Sequence, residues 1–186
     1  DNYAAALGGK SKLEEVKTVK TLSTIKVMGM EMEATTLEMA PNKSKAVQKI
    51  MGQEMVQVFD GEKGYMMQAG QRMDLPAPAI EEAKKKRLFE VLSYNPADFK
   101  TVEKVTEEGK ELYLLAGAGK KLYFDTKTNL LVKSTSDKGD MVILDYMEVD
   151  GIKFPKNLKL AMMGQNMEMT NNQIIVNKEV SAEDFK

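Results

Sequence analysis

The chain contains no cysteine and no histidine. Without cysteine there is no disulfide framework, thiol nucleophile or thiolate zinc site; without histidine there is no catalytic triad, imidazole base or imidazole metal ligand. Most hydrolase and zinc mechanisms are thereby excluded, while carboxylate chemistry, oxygen-ligand sites for calcium or magnesium and substrate-assisted reactions survive. Tryptophan is absent too, which removes the usual stacking platform for sugars. No run approaches the roughly 20 apolar residues of a membrane-spanning helix, so stable membrane insertion is not expected. An excess of one charge is also missing. Lys plus Arg number 27 and Asp plus Glu 28, a net charge of −1, and no global field draws in nucleic acid or an anionic membrane.

What is present is enough for a core. The 186 residues are 42% apolar, too apolar for a disordered chain and short enough for one compact domain spanning residues 1–186. The start at Asp1 rather than Met reads as a processed secreted chain, its signal peptide removed, or as an excised piece of a longer envelope protein. Lack of cysteine does not choose a compartment.

Asn2 to Val16 reads as a short helix, a break at Gly8-Gly9 and a second short helix. From Thr18 the period becomes two. Met28, Met30, Met32 and Ala34 fall on one face and Glu31, Glu33 and Thr35 on the other, with Gly29 marking a bulge or bend. Asp60-Gly61-Glu62-Lys63-Gly64 signals a hairpin. Between Pro76 and Val91 the period is helical, with Ile80, Ala83, Leu88 and Val91 as the buried stripe and Glu81 and Glu82 beside Lys85 and Lys86. Further short strands follow to Val176. The sum is mainly antiparallel β with segregated helices, in about ten or eleven strands.

Fifteen methionines are several times an ordinary share. A sheet bearing Met28, Met30, Met32, Met55, Met67, Leu160, Met162, Met167 and Met169 on one side offers an unbranched, polarizable lining suited to a ligand of variable shape such as an acyl chain. The competing reading is that these side chains fill an ordinary core. Thioether capture of a soft metal is a third, weakened by the lack of His and Cys. Lys84-Lys85-Lys86-Arg87 reads as a solvated helix face, Asp125 to Asn129 as a hairpin turn and not a calcium loop, and Gly117-Ala118-Gly119-Lys120-Lys121 lacks the spacing of a phosphate loop. No carboxylate pair marks an active site. The chain is therefore not expected to be an enzyme, and no cofactor or metal is called for.

Several phrases in combination point to a family. Met39-Ala40-Pro41-Asn42-Lys43 is similar to its strand-end proline turn. Val58-Phe59-Asp60-Gly61-Glu62-Lys63-Gly64-Tyr65 is similar to its Asp-Gly hairpin, and Leu122 through Lys133 to a later one. With the opening Asp1 to Val19, the chain up to about Val176 resembles the periplasmic outer-membrane lipoprotein-sorting proteins, the LolA/LolB-like carriers. The resemblance implies an incomplete, half-open antiparallel β-barrel whose concave apolar face is covered by helices and holds acyl chains. It also implies a periplasmic or cell-envelope location, a lipid or lipoprotein acyl chain as ligand, a possible envelope protein partner, and a monomer. Ala40 stands where the carriers have an arginine that helps latch a helical lid, so a latch at that residue is not expected. A ligand-free accessory domain of a larger envelope protein is the alternative.

Overall fold

The alternating run after Thr18 folds as two strands rather than one. In the computed structural model, which describes residues 2–117, 119–162 and 164–186, β1 (Thr18–Val27) and β2 (Met30–Met39) pair antiparallel with Val27 opposite Met30. Met28 and Gly29 form the turn between them, with φ of 51° and 77°. Two positive φ angles are what a tight hairpin turn of the right hand requires, so Gly29 is a turn residue and not a bulge. The first meander continues through β3 (Lys43–Ile50), β4 (Gln53–Phe59), β5 (Gly64–Gln68) and β6 (Gln71–Asp74). The second runs through β7 (Thr101–Glu107), β8 (Lys110–Gly117), β9 (Lys120–Asp125), β10 (Leu131–Ser136), β11 (Gly139–Val149), β12 (Ile152–Met162) and β13 (Gln165–Val176).

All thirteen belong to one open antiparallel sheet, ordered β6-β5-β4-β3-β2-β1-β13-β12-β11-β10-β9-β8-β7. The count exceeds the ten or eleven expected for two reasons. A continuous alternation hides the β1–β2 hairpin, and β6 is an exposed edge strand without apolar alternation to announce it. The two meanders meet where β1 pairs with β13.

This order forces the segment from Leu75 to Lys100 to travel from one edge strand, β6, to the other, β7. The helical period in it is shorter than its apolar residues suggest. Helix α3 spans Ala77–Lys85 and buries none of its side chains, so the expected stripe through Val91 is corrected. Lys86 is extended (φ −63°, ψ 146°), and Arg87 Nη1 donates to the carbonyls of Lys84 (3.1 Å) and Lys86 (2.9 Å). Freed from the helix, Phe89 becomes the buried residue of the segment, tilted against Phe154 with ring centroids 5.6 Å apart.

The two short helices expected at the start are α1 (Asn2–Leu7) and α2 (Lys10–Glu15). Gly8 allows the break: a Cβ there would stand 2.5 Å from the Gly151 carbonyl oxygen. Ala4, Leu7, Leu13 and Val16 pack with Phe89 onto Val19, Ile152, Phe154, Ile174 and Val176. These residues form the main core, on one face of the central strands. Full burial of each large side chain contributes about 1.5–3 kcal/mol. The opposite face carries two smaller clusters, Leu37, Val58 and Phe185 on one wing and Leu112, Leu114 and Tyr123 on the other.

Candidate functional site

Residues directly opposite each other in an antiparallel pair share a face, so the register places the methionines without ambiguity. One row across the helix-bearing face reads Met141, Leu160, Met167, Val27, Met30, from β11 through β12, β13 and β1 to β2. The next row reads Ile143, Leu158, Met169, Ile25, Met32. Met162, two residues beyond Leu160, continues the same face, as does Met55, which lies opposite Gln48, itself opposite Ala34. Met67 lies opposite Val56 and shares the other face. Met28 lies in the β1–β2 turn. Of the nine residues singled out, the sheet therefore gathers Met30, Met32, Leu160, Met162, Met167 and Met169 on its central strands and Met55 farther out on the same face. Ile25, Val27, Met141, Ile143 and Leu158 complete the rows. Ile25 and Val27 are announced by the odd-numbered alternation of β1, which a count starting at Met28 misses.

Below the rows lies a cavity of about 280 Å³, walled by the sheet, α1 and the crossing segment. Leu7, Val19, Phe89, Phe154 and Ile174 supply much of its apolar wall. Met141 and Ile143, which end the two rows, also line it, so the rows run into the cavity, whose wall carries Glu38, Glu90 and Lys153 as well. None of the nine singled-out residues lines the cavity itself. Its wall depends on how Phe89 and its neighbours cross the sheet, which no local periodicity reveals.

Tyr3 and Tyr94 interrupt this wall, and Tyr146 stands behind Tyr3. Tyr3 and Tyr146 are hydrogen-bonded through their hydroxyls, Tyr146 Oη donates to the Leu131 carbonyl at 2.9 Å, and the Tyr94 hydroxyl meets Glu90. Burial first, then the Glu90 carboxylate for Tyr94 and the neighbouring tyrosine for Tyr146, push these phenols well above their ordinary range. Tyr3 is raised by burial, against the bond to Tyr146. All three remain protonated under any physiological condition. They are neutral hydrogen-bonding groups, suited to a carbonyl or hydroxyl and not to proton abstraction. Among the described residues no three acidic side chains converge to hold a metal ion.

The crossing segment is held to both wings by polar contacts. Lys86 pairs with Glu38 of β2 at 3.4 Å, and Asn42 Nδ2 donates to the Lys84 carbonyl at 3.3 Å. On the other wing Glu82 pairs with Lys138 and Glu90 with Lys120, whose ammonium also sits 4.8 Å from the centre of the Tyr94 ring. Pairs this exposed are screened by solvent and contribute little each. Ala40 adds no charge, and Glu38 two residues earlier makes the contact to the crossing segment instead.

No protein-family model matches the chain, and no curated protein matches it in sequence. Solved structures do match. A putative outer membrane lipoprotein-sorting protein domain from Vibrio parahaemolyticus superposes with a TM-score of 0.59, covering 91% of this chain and 89% of that one at 9% identity. The chain shares the fold of that domain. A DUF1329 family protein from Desulfovibrio piger shares it, with a TM-score of 0.59 over 100% of this chain and 95% of that one, again at 9% identity. At such identity the likeness is one of fold. The shared fold here takes the form of one open antiparallel sheet.

Proposed function

We propose that this protein binds and carries acyl chains of lipid or lipoprotein in the bacterial cell envelope, without catalysing a reaction. The single observation that carries the reading is the continuity of the methionine rows with the cavity through Met141 and Ile143. The sheet acts as a half-open barrel: an acyl chain lies along the rows, its end in the cavity, and each methylene taken from water contributes about 0.8 kcal/mol. Unbranched thioethers repack around chains of different length. The tyrosine hydroxyls meet the polar end of the ligand. Unloading is passive, to a membrane or an envelope protein that competes for the chain. The fold shared with the lipoprotein-sorting domain supports this use and a place in the cell envelope.

Native mass spectrometry of gently purified protein, followed by lipid extraction and uptake of a fluorescent fatty-acyl probe, tests the proposal. Bound lipid, or probe uptake that is lost in Met30→Ser/Met32→Ser/Met167→Ser with the β-rich spectrum retained, supports it. An empty protein that takes up no probe overturns it in favour of an accessory domain.

A further inference from the structure

Five tight turns share one backbone geometry, with a positive φ at each of two central residues: Met28-Gly29, Met51-Gly52, Ala69-Gly70, Glu108-Gly109 and Asp150-Gly151. Each first residue has φ between 48° and 52°, where Asn, Asp or Gly is the relaxed choice and a longer side chain is strained. The register sorts them by position. In an antiparallel meander alternate turns share an end, and Val27 opposite Met167 aligns the ends of the two meanders. Met28, Met51 and Ala69 therefore stand on one rim, together with the charged Asp137-Lys138 turn between β10 and β11 and the turns closing on Gly119 and Gly164, preceded in sequence by Ala118 and Met163, which lie outside the described residues. Glu108 and Asp150 stand on the opposite rim, with the acidic turns begun by Asp60 and Asp125.

The same turn is thus built with apolar residues on one rim and acidic ones on the other. Met28 is 77% and Met51 89% exposed, so neither the turn nor any packing inside the chain explains them. Among the described residues, Leu144 alone of the exposed large apolar side chains lies more than three residue pairs from this rim; Met30 and Met162 stand directly behind the tips and Met73 in the third pair. Charged side chains near the tips stand beside opposite charges: Lys26 with Glu31 at 3.3 Å, Arg72 with Asp74 at 3.6 Å, Lys159 with Glu168 at 3.9 Å and Lys138 with Glu82, while Lys49 lies opposite Glu33 and Glu54 in the strand register.

We infer that the rim carrying Met28 and Met51 docks on the surface of a zwitterionic lipid bilayer, each tip inserting its apolar side chain at the headgroup boundary. Successive tips stand two strands apart, about 10 Å. They form a row of separate apolar points and no continuous patch. A protein partner would have to present a matching socket at each spacing; a bilayer offers the same apolar medium at every one. The self-neutralised flanks fit headgroups without net charge, whereas anionic lipid would call for unpaired cations. The methionine rows begin at this rim, which places the mouth of the apolar surface against the lipid.

The test is flotation of the whole chain with phosphatidylcholine vesicles, beside Met28→Asn/Met51→Asn. Asparagine before glycine is the favoured pair for this turn, so the variant is expected to keep or raise its urea midpoint. Wild type is expected to float at low and high salt alike, and the variant to lose about tenfold in partitioning, from two apolar insertions removed. Acyl-probe uptake without vesicles should be unchanged in the variant, which separates docking from cargo binding. Equal flotation of the two proteins overturns the proposal. So does binding only to vesicles containing phosphatidylglycerol, abolished by salt, or a self-association lost in the variant with no vesicle binding.

Discussion

The central strands present one face that behaves in two ways along its length. Near the helices, Val19, Ile174, Val176, Ile152 and Phe154 pack against Leu7, Leu13 and Val16 and are buried. Farther along the same strands, Val27, Met30, Met32, Leu160 and Met167 are half-buried or exposed, beside the buried Ile25 and Leu158. The packed half is built from β-branched and aromatic residues, whose restricted rotamers suit a fixed arrangement. The open half is built largely from methionine, with three rotatable bonds and no preferred shape. Stiffness is placed where the partner is part of the chain, and adaptability where it is not.

The sharpest way to break this comparison is to cut into the packed half. Leu13→Ala removes a side chain only 1% exposed, and unfolding in urea is expected to show a loss of about 2–5 kcal/mol, with probe binding per folded molecule unchanged. The reverse pattern is expected in the open half. Met32→Ser/Met169→Ser should weaken acyl-probe binding about tenfold or more from lost apolar contact, while stability falls less than for Leu13→Ala. A volume-conserving change refines the point: Met32→Leu/Met167→Leu is expected to cost under about 1.5 kcal/mol. Across a series of probes of different chain length, the branched variant should show a narrower range of affinities.

Smaller effects come from the contacts that hold the crossing segment. Glu38→Gln removes the partner of Lys86 and is expected to shift stability by less than about 1 kcal/mol. Rising salt should diminish the difference between variant and wild type, and probe entry should become slightly faster. The smallest effect concerns the acidic turns. The Asp60 carboxyl is held below its ordinary value of 3.8 by the backbone N–H groups of Lys63 and Glu62, and that of Asp125 chiefly by the N–H of Thr128. A depressed folded value means that the stabilisation is fully present above the unfolded value and is lost as pH falls through the folded one. The urea midpoint of wild type should therefore exceed that of Asp60→Ala at pH 7 and approach it as the pH is lowered through and below 3.8. The methionine turns, with nothing to titrate, should not contribute to that convergence.

Much of the architecture was legible because it is local. The alternation of Met30, Met32 and Ala34, the Asp60-Gly61 turn and the break at Gly8-Gly9 each declare themselves within a few residues. The strand alternation also brought most of the nine candidate residues onto one face. Met28 and Met67 escaped that reading because a two-residue turn resets the count, and each hairpin decides anew which parity faces the helices. The cavity was hidden for a different reason. Its wall joins Leu7, Phe89 and Met141, contacts made by a segment crossing between the two edges, and nothing near Phe89 marks it above Leu88 or Val91. Phe185, 1% exposed against Leu37 and Val58, is a core residue with no periodic neighbours to announce it.

The pairing of β1 with β13 has a kinetic meaning. Every other pairing in the sheet joins strands that are neighbours in the chain, so each meander can form early from local contacts; the seam, with Val19 opposite Val176, must close a loop of nearly the whole sequence and is expected to form last. Both methionine rows cross that seam, with Val27 and Met30 on one side and Met167 and Leu160 on the other. The apolar surface therefore does not exist until the slow step is complete, and a ligand lying along the rows bridges the contact that forms last. Contacts absent from the folding transition state act on the unfolding rate. An occupied chain should accordingly outlive an empty one in denaturant by slower opening of the seam, with its rate of refolding unchanged.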